Sequence, residues 1–114
     1  AVITNNVSMY GTQYIPSVYE DYFGGPPWDH AAVYAASSPI ENVRNVRTPT
    51  LIIHGENDPR VPVGQAYEFH RALERRGVET QMVVYPRMAH GPTEPKFLQD
   101  IAERHLAWVE KHLQ

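Results

Sequence analysis

The sequence predicts an α/β chain built on a parallel sheet of about three strands with helices packed against it. Three observations carry this. Leu51-Ile52-Ile53 and Met82-Val83-Val84 are short unbroken apolar runs, the pattern of strands buried on both faces. Each run is followed by a stretch with apolar residues at spacings of three and four, the pattern of an amphipathic helix. Strands that alternate with helices in this way pair in parallel through right-handed crossovers.

In chain order, Ala1–Asn5 is an apolar start and is predicted as a first strand, ended by Ser8–Gly11. Residues 10–34 hold seven of the twelve aromatic side chains, so this segment has either a pocket or a satellite core to build. Gly24-Gly25-Pro26-Pro27 forbids one continuous helix there, which leaves two short ones, Ser17–Phe23 and Asp29–Ala36, with Ser17 and Asp29 as N-caps. Glu41–Arg47 reads as irregular or as one helical turn. Pro49 precedes the strand Thr50–His54, and Gly55–Pro59 is turn chemistry. A helix is predicted from Val63 to Arg76 with a stripe of Ala66, Phe69, His70 and Leu73, stopped by Gly77. Val78–Tyr85 is the next strand. The last helix runs from Pro95 to His112, with Leu98, Ile101, Ala102, His105, Leu106, Val109 and Leu113 as its apolar face.

Composition narrows the function. With 114 residues there is room for one domain, and a 42% apolar fraction suits a globular one. A net charge of −3 without a basic patch gives nucleic-acid binding no support. The absence of cysteine removes disulfides and thiolate metal sites, and a cytoplasmic location is the expectation that fits it. No apolar run is long enough to span a membrane. The histidines and carboxylates show no metal-ligand spacing, so neither metal nor cofactor is expected. Three parallel strands leave an unpaired edge, so either a homo-oligomer or a missing N-terminal portion of the same domain is expected to cover it.

The chemistry lies at two strand ends. Asp58 follows the Thr50–His54 strand and His90 follows the Val78–Tyr85 strand, one crossover apart. Open α/β sheets build sites along that edge. Alone, Asp58 suits the corner of a turn and His90 a loop position before Gly91. Together on consecutive strand ends they read as a carboxylate that orients an imidazole, the acid–base half of a nucleophilic hydrolase. Their order, acid then histidine, is that of the α/β-hydrolases.

From Pro39 to Leu113 the chain resembles the end of the catalytic domain of the prolyl oligopeptidase family, the serine peptidase branch of acylaminoacyl and dipeptidyl peptidases. The matching words are SPI at Ser38–Ile40, TPTLIIHGENDPRVP at Thr48–Pro62, ALERRGVETQMVVYP at Ala72–Pro86, AHG at Ala89–Gly91 and AWVEKHL at Ala107–Leu113. YEDYFGGPPW, Tyr19–Trp28, suits the variable segment after that fold's sixth strand. The resemblance implies the C-terminal portion of an α/β-hydrolase fold, with Asp58 as triad acid, His90 as triad base and a peptide or small ester as substrate. Tyr22, Phe23 and Trp28 are the expected substrate-binding side chains. The family's nucleophile is absent: none of Ser8, Ser17, Ser37 and Ser38 sits in a G-x-S-x-G elbow. Residues 1–114 are therefore expected to be a C-terminal fragment of a serine hydrolase domain. The alternative is a non-catalytic assembly fragment that completes a sheet or swaps with a copy of itself.

Overall fold

A computed structural model describes residues 1–113. The elements are α1 (Asn6–Thr12), α2 (Pro16–Phe23), α3 (Ala31–Ala36), a 3-10 segment (Pro39–Asn45), β1 (Thr50–Gly55), α4 (Gly64–Arg75), β2 (Thr80–Tyr85) and α5 (Pro95–His112).

β1 and β2 pair in parallel, with Thr50 opposite Thr80 and Gly55 opposite Tyr85. The two strands therefore end level, and the loops that leave them start at the same edge. α4 covers one face. Ile52, Ala66 and Leu73 are its buried centre, and Val2, Val43, Val46, Phe69, Val78 and Met82 pack around them. Gly77, at φ 72°, turns the chain back into β2 from the left-handed region that lacks a penalty only for glycine.

The expected first strand at Ala1–Asn5 does not form, and the sheet has two strands among the described residues. Its backbone groups are engaged elsewhere. The amides of Thr4 and Asn5 donate to Gln65 Oε1 at 2.9 and 2.8 Å, and the Thr4 carbonyl accepts from the Ile40 amide at 3.0 Å. Buried Gln65 of α4 thus stands in for a neighbouring strand. Asn5 then caps α1, its side chain accepting from the amides of Val7 and Ser8, and the Ser8–Gly11 stretch expected only to end a strand lies inside that helix. The N-caps expected at Ser17 and Asp29 are also displaced. α2 begins at Pro16 behind Ile15 and α3 at Ala31 behind His30, neither with a side-chain cap bond.

The aromatic segment closes on itself. Tyr34 is fully buried, with the rings of Phe23, Tyr19 and Tyr10 at 4.6, 6.3 and 6.4 Å and its hydroxyl on the Gly25 carbonyl at 3.0 Å. Of the two readings open for these aromatics, this part is a satellite core.

α5 crosses the other face of the sheet but buries no residue fully. Two polar contacts and one ring contact hold it there: the Tyr85 hydroxyl donates to Asp100 at 2.6 Å, Lys111 pairs with Glu79, and the Phe97 ring lies 5.1 Å from that of Tyr85. Within the helix, Arg104 pairs with Asp100 at 2.7 Å. Burial and the Asp100 carboxylate push the Tyr85 hydroxyl up to about 12. The expected apolar face is mostly turned outward, with Leu98, Leu106, Val109 and Leu113 exposed. No helix among the described residues is long and apolar enough to cross a membrane.

Candidate active site

The acid sits in a corner made by its own backbone. Asp58 Oδ1 accepts from the amides of Arg60 and Val61, both at 2.9 Å, which closes the Asp58–Val61 turn. Its other oxygen, Oδ2, lies 2.9 Å from His90 Nδ1. The carboxylate is 1% exposed, so all its bonds are to protein. Burial pushes its pKa up. The amide of Val61, the ring of His90 and the amide of Arg60 outweigh that and hold it below the usual carboxylate range.

His90 comes from the loop after β2. The amides of Glu56 and Asn57 reach the carbonyls of Tyr85 and Met88 at 2.9 and 3.0 Å, so the ladder continues past the strand ends and zips the two loops together. Buried Met88 anchors the second loop. Arg87 turns it from a left-handed φ of 65° and is clamped by Glu94 through two bonds of 3.0 and 2.9 Å. A non-glycine residue in that region costs about 1 kcal/mol.

Gly55 makes this approach possible. A Cβ there would overlap the carbonyl oxygens of Met88 and Ala89. Sequence reasoning took Gly55 only as turn chemistry. Its role depends on a loop more than thirty positions away, and no local signal carries that.

Since Asp58 accepts at Nδ1, the neutral His90 ring carries its proton there and leaves Nε2 as a base. The His90 side chain is 45% exposed, and it borders two hollows. One, of about 340 Å3, is lined by Ile3, Met9, Ile15, Val18 and Val61, with Tyr14 and Arg60 at one side joined by a 3.1 Å bond. The other, about 460 Å3, runs along the free edge of β1 from Thr50 to Ile53 and reaches Val2 and Ile101.

Tyr22 and Phe23 line a third hollow of about 440 Å3, which shares Ile3, Val18 and Tyr19 with the one beside His90. Trp28 is exposed and stands edge-on to Tyr10 at 5.6 Å. The structure thus brings Asp58 and His90 together. It sets Tyr22 and Phe23 one hollow away from them and Trp28 outside the hollows at His90. Ser8 is tied into a polar knot on α4, with Glu68 Oε2 at 2.9 Å and Gln65 Nε2 at 2.8 Å. Among the described residues, no group of three His, Asp or Glu converges to hold a metal.

Comparison with known proteins gives the family and the fold. The chain matches the prolyl oligopeptidase family over residues 1–114. It is 34% identical over 88 residues to acylamino-acid-releasing enzyme 1 of Oryza sativa subsp. japonica, an alignment covering 77% of this chain and 11% of that protein. To the acylamino-acid-releasing enzyme of Mus musculus it is 31% identical over 120 positions, covering 97% of this chain and 16% of the relative. The chain thus spans less than a fifth of those relatives. Among solved structures, a Mycobacterium tuberculosis puromycin-hydrolyzing peptidase superposes with a TM-score of 0.89 at 23% identity, covering 97% of this chain and 17% of the other. The uncomplexed Pyrococcus horikoshii acylaminoacyl peptidase gives 0.88 at 24%, covering 97% and 19%. These likenesses show the fold, the C-terminal portion of an α/β-hydrolase.

Proposed function

The chain belongs to the prolyl oligopeptidase family, and we propose that it is the part of a serine hydrolase domain that supplies the acid, Asp58, and the base, His90, to a serine outside these residues. One observation carries the reading: the 2.9 Å hydrogen bond that His90 Nδ1 donates to Asp58 Oδ2, on a half-exposed ring that borders an open hollow. In the complete domain the serine hydroxyl attacks the scissile carbonyl of a peptide or ester. Nε2 takes the hydroxyl proton and returns it to the leaving amine or alcohol. Water then repeats the attack on the acyl-serine, and His90 again takes and returns the proton. Asp58 keeps the ring in the Nδ1–H tautomer and stabilises the imidazolium that forms.

The hollow of Ile3, Met9, Ile15, Val18 and Val61 suits an apolar side chain or acyl group. The neighbouring hollow of Tyr22 and Phe23 extends it for a longer substrate. Trp28 belongs to the same proposal as an outer contact. Replacing Tyr22 and Trp28 by alanine in the complete domain then changes substrate preference; an unchanged profile counts against their role.

The test is hydrolysis of a p-nitrophenyl ester by this chain and by a chain extended to carry the family's nucleophile elbow. The extended chain is expected to turn over and to be labelled by a fluorophosphonate, and its His90→Ala variant to lose at least about a thousandfold in rate. The 114-residue chain is expected to be inert. Labelling of the 114-residue chain, with activity that His90→Ala abolishes, would place the nucleophile inside it and overturn the reading.

A second reading has its own support. The open edge of β1 and the exposed Leu98, Leu106, Val109 and Leu113 of α5 suit a chain that completes a larger sheet or pairs with a copy of itself. Light scattering decides it: a well-folded monomer at high concentration excludes self-assembly.

A further inference from the structure

His54 lies inside β1, fully buried, and the reaction assigned to Asp58 and His90 does not use it. Its Nε2 is 2.6 Å from the carbonyl oxygen of Val61. A carbonyl only accepts, so Nε2 carries the proton. Nδ1 is buried without a partner. In a neutral ring that nitrogen is merely an unpaired acceptor. In a charged ring it is an unpaired donor on a buried cation, which costs far more. The surroundings therefore select one state, neutral with the proton on Nε2. Burial pushes the imidazole pKa down in the same sense.

Two features tie this ring to the acid. Val61, whose carbonyl it holds, is the residue whose amide closes the turn onto Asp58 Oδ1. Nε2 also lies 3.7 Å from Asp58 Oδ2, the oxygen that His90 uses. That is too far for a hydrogen bond but close enough for the positive N–H edge to favour a carboxylate. Among the described residues, the ionisable groups within 4 Å of the Asp58 carboxylate are His54 from β1 and His90 from the loop after β2.

We propose that His54 is a positioning residue for the catalytic acid: a permanently neutral Nε2–H imidazole that fixes the Asp58–Val61 corner and leaves His90 as the only ring free to become a cation beside Asp58. This rests on the reading of Asp58 and His90 as acid and base. A positive charge on His54 would compete for the same carboxylate oxygen and weaken its hold on the imidazolium. A neutral ring supplies the donor without that competition.

The test uses this 114-residue chain, labelled for NMR. Ring 15N shifts report the His54 tautomer directly, and side-chain 13C shifts report the Asp58 titration. Wild type is expected to show His54 neutral with the proton on Nε2 from pH 5 to 8. His54→Gln, whose amide nitrogen reaches the Nε2 position, is expected to keep the Asp58 titration in place. His54→Phe, which has no donor, is expected to raise it by roughly one unit. An unchanged Asp58 titration in folded His54→Phe overturns the proposal. So does a wild-type His54 that takes up a proton in that range or carries its proton on Nδ1, an outcome that needs no variant to fold. The underlying reading fails separately, if His90→Ala leaves the Asp58 titration unmoved.

Discussion

The strand-end corner and the long side of the same sheet are finished to different degrees. At the corner, both oxygens of Asp58 are engaged, the two loops continue the strand ladder, and Gly55 lets their backbones touch. Along the side, β1 borders a hollow of about 460 Å3 and one stripe of α5 faces outward. The difference is one of range. Every partner the corner needs lies within one strand–helix–strand crossover, so these residues build it unaided. Burial of the α5 stripe depends on what lies opposite it, and nothing in the described residues does. The chemistry-bearing geometry is thus assembled on a sheet whose flank is open.

The contrast can be broken at the corner first. In the extended chain, Asp58→Asn is expected to lower turnover by about four powers of ten, because the amide favours the wrong His90 tautomer. A loss below tenfold would separate the corner from the chemistry. Gly55→Val drives a side chain into the Met88 and Ala89 carbonyls and is expected to cost about 3 kcal/mol or more in urea unfolding. The two faces of the sheet supply the next comparison. Leu73→Ala, on the buried face of α4, is expected to cost about 3 kcal/mol, since Leu73 is wholly buried in the small core.

Acid acts on the corner as well. Asp58 has a depressed folded pKa, so its contribution is present above the unfolded value and is lost as pH falls below about 4. His54 also has a depressed pKa, but it binds its proton on acidification, so the unfolded state takes up protons first below about pH 6.5. Both slopes have the same sign, and stability falls in two steps as pH is lowered. Asp58→Asn removes the lower step and His54→Gln the upper one. The smallest effect belongs to the open flank: Leu106→Ala on the outward stripe of α5 is expected to stay within about 0.5 kcal/mol. A cost like that of Leu73→Ala would mean the stripe is covered in solution.

The crossover was legible in the sequence because its signals are local. β1, α4, β2 and α5 lie within about two residues of the bounds that apolar runs, Gly77 and Pro95 indicate. Asp58 and His90 were legible as a pair because parallel strands in register bring their following turns to one edge. Three features were not. Ala1–Asn5 has the composition of a strand, but whether it pairs depends on a neighbour, and Gln65 took its amides instead. The aromatics of 10–34 left both a pocket and a core open, and only the burial of Tyr34 separates the rings around it from exposed Trp28. His54 read only as the end of a strand; its unpaired Nδ1 and its reach to Val61 exist only in three dimensions.

The central claim is that these 114 residues hold Asp58 and His90 ready before any nucleophile is supplied. The most direct measurement is the ring N–H signal of His90 in the 15N-labelled chain, beside Asp58→Asn. The expected result is a hydrogen-bonded proton on Nδ1, shifted far downfield and protected from solvent, which vanishes in the Asn variant. A ring that exchanges freely, or a signal indifferent to Asp58→Asn, would contradict the claim and reduce the pair to two loop residues that happen to lie close.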